Sequence, residues 1–179
     1  MTIARVNSAL HSFQGINLGV VGKPSDWLIS SGVDYSILKE KLGVNMIDIS
    51  IEEFMDVINR KEYPQEIKET ISQNYNQETL EVALHIYGAL ERFVQKYKLS
   101  GLTGRCFDLP GTIHNTSCLA LALLNSRGLV GTCDGDIPAL LSMMILKMLT
   151  GKAGFQANPS SIDTALNEMI FAHCTVPFN

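Results

Sequence analysis

At 179 residues, with 46% hydrophobic and 18% charged side chains, the chain is long enough for one full-sized core and short for two independent ones. A net charge of −4 without any run of lysines or arginines lacks the electrostatic footprint of a nucleic-acid binder or a polybasic membrane anchor. The opening MTIARVNSALHSFQG carries no apolar segment of signal-peptide length, and IPALLSMMILKMLTG is too short to span a bilayer and contains Lys147, so a cytoplasmic protein acting on small molecules is expected.

In chain order, INLGVVG (16–22) and GVNMIDI (43–49) are short apolar runs closed by turn residues, and both read as buried strands. Between them, SGVDYSILKEKLG has helical spacing and a glycine stop at Gly43; after them, Ser50 and Glu53 form a capping-box pattern at the start of IEEFMDVINRK. Residues 61–77 are polar enough for a surface excursion. The most strongly periodic segment, 76–97, places Leu80, Ala83, Leu84, Tyr87, Leu90, Val94 and Tyr97 on one face and predicts a long helix lying on a sheet. Further strands are predicted at LSGLTGRC, GLVGTC, AGFQA and EMIFAHC, with helices at TSCLALALLNSRG and DIPALLSMMILKMLTG. In the latter, Pro138 stands in the first turn and Gly151 at the end. Strands alternating with helices imply a single α/β domain over 1–179: a three-layer, doubly wound, mostly parallel sheet with helices on both faces. Its sites should lie at the carboxyl ends of strands, where Asp134, Asn158 and His173 are expected to sit.

Several familiar sites are excluded. GxGxxG is missing after the first strand, where only Gly19 and Gly22 precede Lys23 and Pro24; GxxxxGK[ST] and GxSxG are also absent, which argues against nicotinamide, nucleotide-triphosphate and serine-hydrolase chemistry. Cys106, Cys118, Cys133 and Cys174 form no CxxC pair and adjoin apolar runs, so reduced, mostly buried thiols are expected in place of disulfides or a zinc knot. His173 and Cys174 should point to opposite faces of a strand and not act as a pair. His11, His85 and His114 read as surface or internally satisfied histidines. Trp27, after the first strand, either stacks on a ligand or plugs the core edge.

The acidic turn is the most informative feature. Asp134 and Asp136 flank Gly135 directly before a helix that needs only one cap, so one carboxylate is left to face a cleft. Joined by an oxygen from Asn158 and a nitrogen from His173, it would complete an O/N set suited to Mn²⁺ or a similar divalent ion.

The residues CFDL, CLALALLNSRGLVGTCDGDIPALLSMMILKMLTGKAGFQANPSSID and FAHCTVP resemble the L-fucose isomerase and L-arabinose isomerase superfamily, in particular its fucose-isomerase-like branch. The likeness runs from about residue 15 to the last, and its most specific part is the spaced set CxGD, FxxN and HCTVP. It implies an aldose-ketose isomerase in which a divalent ion, usually Mn²⁺, bridges sugar oxygens while a carboxylate moves a proton through an enediol. By position, Asp134, Asn158 and His173 match metal ligands, with Asp134 and Asn158 at the catalytic acid positions; Trp27 and Asp108 are candidate substrate-binding residues. The chain departs from the family in carrying Asp134 for a glutamate and Asn158 for an acid. It also lacks the flanking domains, one of which supplies a further histidine, so it looks like the middle domain alone, inactive as an isolated fragment and homo-oligomeric in full-length form. The alternative is a non-catalytic sugar-binding or regulatory module on the same scaffold. The expected partner in either case is a monosaccharide, with neither nucleic acid nor membrane.

Overall fold

A computed structural model describes residues 2–29, 31–71 and 76–178. The elements run α1 (Ile3–Phe13), β1 (Asn17–Val21), α2 (Tyr35–Leu42), β2 (Asn45–Ile49), α3 (Ile51–Ile58), α4 (Gln65–Ile71), α5 (Gln77–Tyr97), β3 (Leu99–Gly104), α6 (Pro110–Ile113), α7 (Cys118–Ser126), β4 (Val130–Thr132), α8 (Ile137–Thr150), β5 (Asn158–Asp163) and β6 (Glu168–Ala172).

Strands β1 to β4 form one parallel sheet in the order β2-β1-β3-β4, with Leu18 opposite Met46 on one side and Gly101 on the other. Chain order therefore reverses between β1 and β3, and doubly wound sheets hold ligands at the carboxyl ends of the strands that flank such a reversal. Alternation along β1 builds the two faces: Val21 joins Ile49, Leu99 and Leu102 beneath α3, α5 and α7, whereas Leu18 packs with Phe13 of α1 and Leu140, Met143 and Met144 of α8, and Val20 with Leu38 of α2. This is the three-layer arrangement expected from the strand-helix alternation. Burial of Leu84, Tyr87, Leu90 and Phe93 along α5 makes that helix the centre of the larger core.

Element ends follow their local chemistry. Ser50 Oγ accepts from Glu53 N–H at 3.1 Å and Asn76 Oδ1 from Glu78 and Thr79 N–H, while Gly43 and Gly151 end α2 and α8 in the left-handed conformation. Glu53 does not close the capping box; its carboxylate turns to Lys96 Nζ at 2.7 Å and Tyr97 Oη at 3.1 Å and ties α3 to α5.

Three features differ from the sequence reading. Residues 3–13, read only for targeting signals, form α1, whose Ala9 and Phe13 are buried. The polar stretch from 61 contains α4 at 65–71, although positions 72–75 lie outside the described residues. AGFQA is not a strand: pairing starts at Asn158, and β5 and β6 form a separate antiparallel hairpin with Asn158 opposite Ala172. Asn158 therefore opens a strand instead of following one. Every residue of this hairpin is exposed, including Ile162, Leu166, Ile170 and Phe171. Apolar side chains are thus exposed on a two-stranded element, which is marginal without a covering layer.

His85, on α5, is mostly covered; its ring lies 5.6 Å from that of Tyr63, and its Nε2 lies 3.8 Å from Glu81. Burial lowers its pKa, against the opposing pull of Glu81 and with smaller help from Lys61 and Lys68. As the pH falls through about 6.5 the unfolded chain takes up this proton first, so His85 favours the fold at higher pH and this advantage is lost below that value. His85→Gln should flatten the acid limb of stability, measured as the wild-type-minus-variant difference in urea midpoint between about pH 5 and pH 7.5.

Candidate functional site

The loops leaving β1, β3 and β4 meet at the carboxyl edge of the sheet, where Gly135 N–H donates to Gly104 O at 3.0 Å and Arg105 donates to Pro24 O at 3.4 Å. After β1, residues 22–29 fold across the end of β4, where the chain makes the tight turn Cys133-Asp134-Gly135-Asp136. Asp134 and Gly135 have φ of 67° and 63°, and Asp136 N–H donates to Cys133 O at 3.3 Å, as in a type I′ turn. Asp-Gly is the pair such a turn selects. Gly135 is also required by space, because a Cβ there would lie 2.7 Å from Lys23 O and 3.0 Å from Ser25 N. Ser25 Oγ donates to Asp134 O, which locks the β1 loop onto the turn.

One of the two aspartates is the helix cap, as the sequence suggested. Asp136 caps α8, its Oδ1 accepting from Ala139 N–H at 2.8 Å. Asp134 Oδ1 is buried and has no hydrogen-bond partner among the described residues. A buried carboxylate oxygen left unpaired costs free energy, so it marks a position suited to a cation or a ligand hydroxyl.

The other candidates approach from the hairpin. His173 follows β6 directly, and Asn158 stands opposite its neighbour Ala172, so both lie at the base of the hairpin. Three ties anchor this base to the end of β4 and to α7. Gln156 Oε1 accepts from Cys133 N–H at 2.8 Å; buried Asn125 donates to Gly131 O at 2.9 Å and also reaches Thr175 O at 3.5 Å; and Phe178 N–H donates to Ser126 Oγ at 2.6 Å. The chain neighbours of Asp134, Asn158 and His173 are thereby joined. His173 Nδ1 lies 3.0 Å from Thr175 Oγ1, which orients the ring and leaves Nε2 for a ligand.

Trp27 and Asp108 meet through a residue that sequence reasoning did not single out. Arg105, one-tenth exposed, follows β3; its Nε contacts Asp108 at 3.0 Å, its Nη2 contacts Asp26 at 3.2 Å, and its guanidinium lies 4.4 Å from the Trp27 ring centroid. Trp27 meets Phe107 edge-on at 6.0 Å. Of the two roles left open for Trp27, core plugging is overturned, because the ring is half exposed and stacks on a charge. The available signal was the position of Arg105, a cation directly after the strand at the topological switch.

All four cysteines also converge here, and all are free. Cys106 and Cys133 are buried, as expected, but Cys174 is exposed because it lies past the end of β6. Strand alternation therefore does not separate it from His173, and Cys174 Sγ lies 3.7 Å from His173 Nδ1. The Cys118 thiol is pulled down to about 5, first by a hydrogen bond from Cys133. A wide groove between α3 and α5, lined by Glu53, Asp56, Arg60, Arg92 and Lys96, contains none of the candidate residues.

No family model matches the chain. Comparison with curated proteins gives consistent relatives. All of them are named as sugar isomerases. The sulfoquinovose isomerase of Alkalicoccus urumqiensis is 24% identical over 97% of this chain and 41% of its own length; that of Priestia megaterium is 27% identical over 97% and 40%; that of a Clostridium species is 26% identical over 95% and 40%. The chain spans about two fifths of the length of these relatives. The relatives are isomerases of a sugar, as are the proteins that the CxGD, FxxN and HCTVP motifs resemble. None of these relatives carries the name of a fucose or arabinose isomerase. Among the described residues, no helix is long and apolar enough to cross a membrane.

Proposed function

We propose that this chain is the α/β domain of a metal-dependent aldose-ketose isomerase on the fucose/arabinose-isomerase scaffold, acting on a monosaccharide of the sulfoquinovose kind. The observation that carries the reading is the buried, unpartnered Asp134 Oδ1 at the carboxyl end of the sheet, in a chain that aligns over nearly its whole length with sugar isomerases. A carboxylate oxygen, an amide oxygen and an imidazole nitrogen from Asp134, Asn158 and His173 form a donor set that fits Mn²⁺. When bound, that ion supplies a Lewis acid for the sugar's carbonyl and neighbouring hydroxyl oxygens.

The residues of the chain have distinct tasks. Asp134 is ligand through Oδ1 and carries the carboxylate that takes the proton from the carbon beside the carbonyl and returns it to the adjacent carbon. Asn158 occupies the second acid position, but its amide does not titrate, so it orients and does not exchange protons. His173, held at Nδ1 by Thr175, presents Nε2. Trp27 and Asp108 form the substrate-facing rim with Arg105, whose guanidinium is held in place by Asp26 and Asp108.

Deuterium wash-in from solvent at C1 or C2 of sulfoquinovose, measured by NMR with the Mn²⁺-loaded protein that carries this chain, tests the reading. Exchange that disappears in Asp134→Asn is the expected result. Sugar binding without exchange would establish the non-catalytic module in its place.

A further inference from the structure

The sulfurs of Cys118, Cys133 and Cys174 all lie within 4.8 Å of one another. They arrive from three elements: Cys118 is the first residue of α7, Cys133 follows β4, and Cys174 follows β6. Zinc-bound thiolates at about 2.3 Å from a tetrahedral ion sit roughly 3.8 Å apart, so closure around a common ion needs shifts of under about 1 Å. No spacing in the sequence announces such a site, because the three positions become neighbours only when the sheet and the hairpin base are in place.

We propose that Cys118, Cys133 and Cys174 form a binding site for a single thiophilic d¹⁰ cation of the Zn²⁺ or Cd²⁺ class. Three sulfurs are a soft donor set that selects such ions and disfavours Mn²⁺, so this site is chemically distinct from the oxygen and nitrogen donors of Asp134, Asn158 and His173. Cys118 stands where the N-terminal amides of α7 favour a thiolate, and exposed Cys174 gives the ion an entry path. The remaining position of a tetrahedral ion is left to water. Occupancy would clamp the residue before Asp134 to the residue after His173, fixing the hairpin base against the sheet.

The test is titration of the reduced 179-residue chain with Cd²⁺ in the presence of a phosphine reductant, followed through the ultraviolet thiolate-to-cadmium charge-transfer band, with Zn²⁺ affinity measured by chelator competition. One equivalent should bind, with affinity falling by about 100-fold or more in Cys174→Ser and in Cys118→Ser. Cys174 is exposed, so its variant should fold as the parent does, and circular dichroism checks both. Asp134→Asn should leave Cd²⁺ binding unchanged while weakening Mn²⁺, which separates failure of this site from failure of the isomerase reading. Absence of saturable Cd²⁺ binding by folded protein, or an affinity that changes by less than about threefold in the Cys118 and Cys174 variants, overturns the proposal.

Discussion

Replacing Asp134 with asparagine is expected to lower Mn²⁺ affinity at least tenfold, with little change in fold. Asparagine is the right probe because the residue sits at φ 67°, a conformation that asparagine and aspartate tolerate better than other side chains. Alanine would mix backbone strain into the result. Removing one negative charge about 3 Å from a divalent ion forfeits roughly 3 to 11 kcal/mol of gross Coulomb attraction for effective dielectric constants of about 80 to 20, most of it offset by hydration. A net loss of about 1.4 kcal/mol is enough for the tenfold effect. Asp136→Asn is the matched control, since asparagine caps helices as well as aspartate does and the Asp136 carboxylate already accepts from Ala139 N–H. Calorimetry should show weakened binding in the first variant and near-parental binding in the second. Equal affinities across all three proteins would remove Asp134 from the ligand set, and the buried Oδ1 would then need another partner.

What the sequence could reveal follows from how local each cause is. The parallel sheet and its two helical layers were legible because the apolar run of β1 closed by turn residues and the 3.6-residue period of α5 are written in adjacent residues. That one of Asp134 and Asp136 caps α8 was legible for the same reason: one helix start needs one cap. Features made by chain crossing were not. Residues 153–157 carry a strand-like run of small and apolar side chains, yet Gln156 leaves any ladder to accept from Cys133 N–H, and pairing begins only at Asn158. Arg105 reads as an ordinary cation until β1 and β3 become neighbours and bring Asp26, Trp27 and Asp108 around it. Cys118, Cys133 and Cys174 likewise show no spacing rule, since each belongs to a different element. Seen in the fold, the site elements share one arrangement: a rigid strand end delivers the residue, and a buried side chain such as Asn125 or Ser25 ties its loop to the next.

Gly88→Ala is expected to destabilise the protein by about 2 kcal/mol or more, although helix propensity alone predicts the opposite sign. Within a helix, alanine is favoured over glycine by about 1 kcal/mol. Gly88 lies in the middle of α5, where the chain at 62–63 crosses it: a Cβ would overlap Glu62 O, sit 2.9 Å from Glu62 C and lie 3.1 Å from Tyr63 Cα. All three are backbone atoms, so no side-chain rotation can relieve them. Relief would require moving the crossing segment, which is held by the Arg92–Glu62 ion pair and by the Tyr63–Glu81 hydrogen bond of 2.5 Å. Overpacking of this kind commonly costs about 1–3 kcal/mol, with the upper end expected where backbone meets backbone. Gly111→Ala in α6 is the contrasting variant, because its added Cβ meets nothing within 4 Å. Thermal unfolding should therefore move in opposite directions: a fall of at least about 4 °C for Gly88→Ala, and no loss or a slight rise for Gly111→Ala. Equal midpoints for the two variants would mean that the crossing segment yields freely, and that the close approach of residues 62–63 to α5 does not hold the outer helical layer in place.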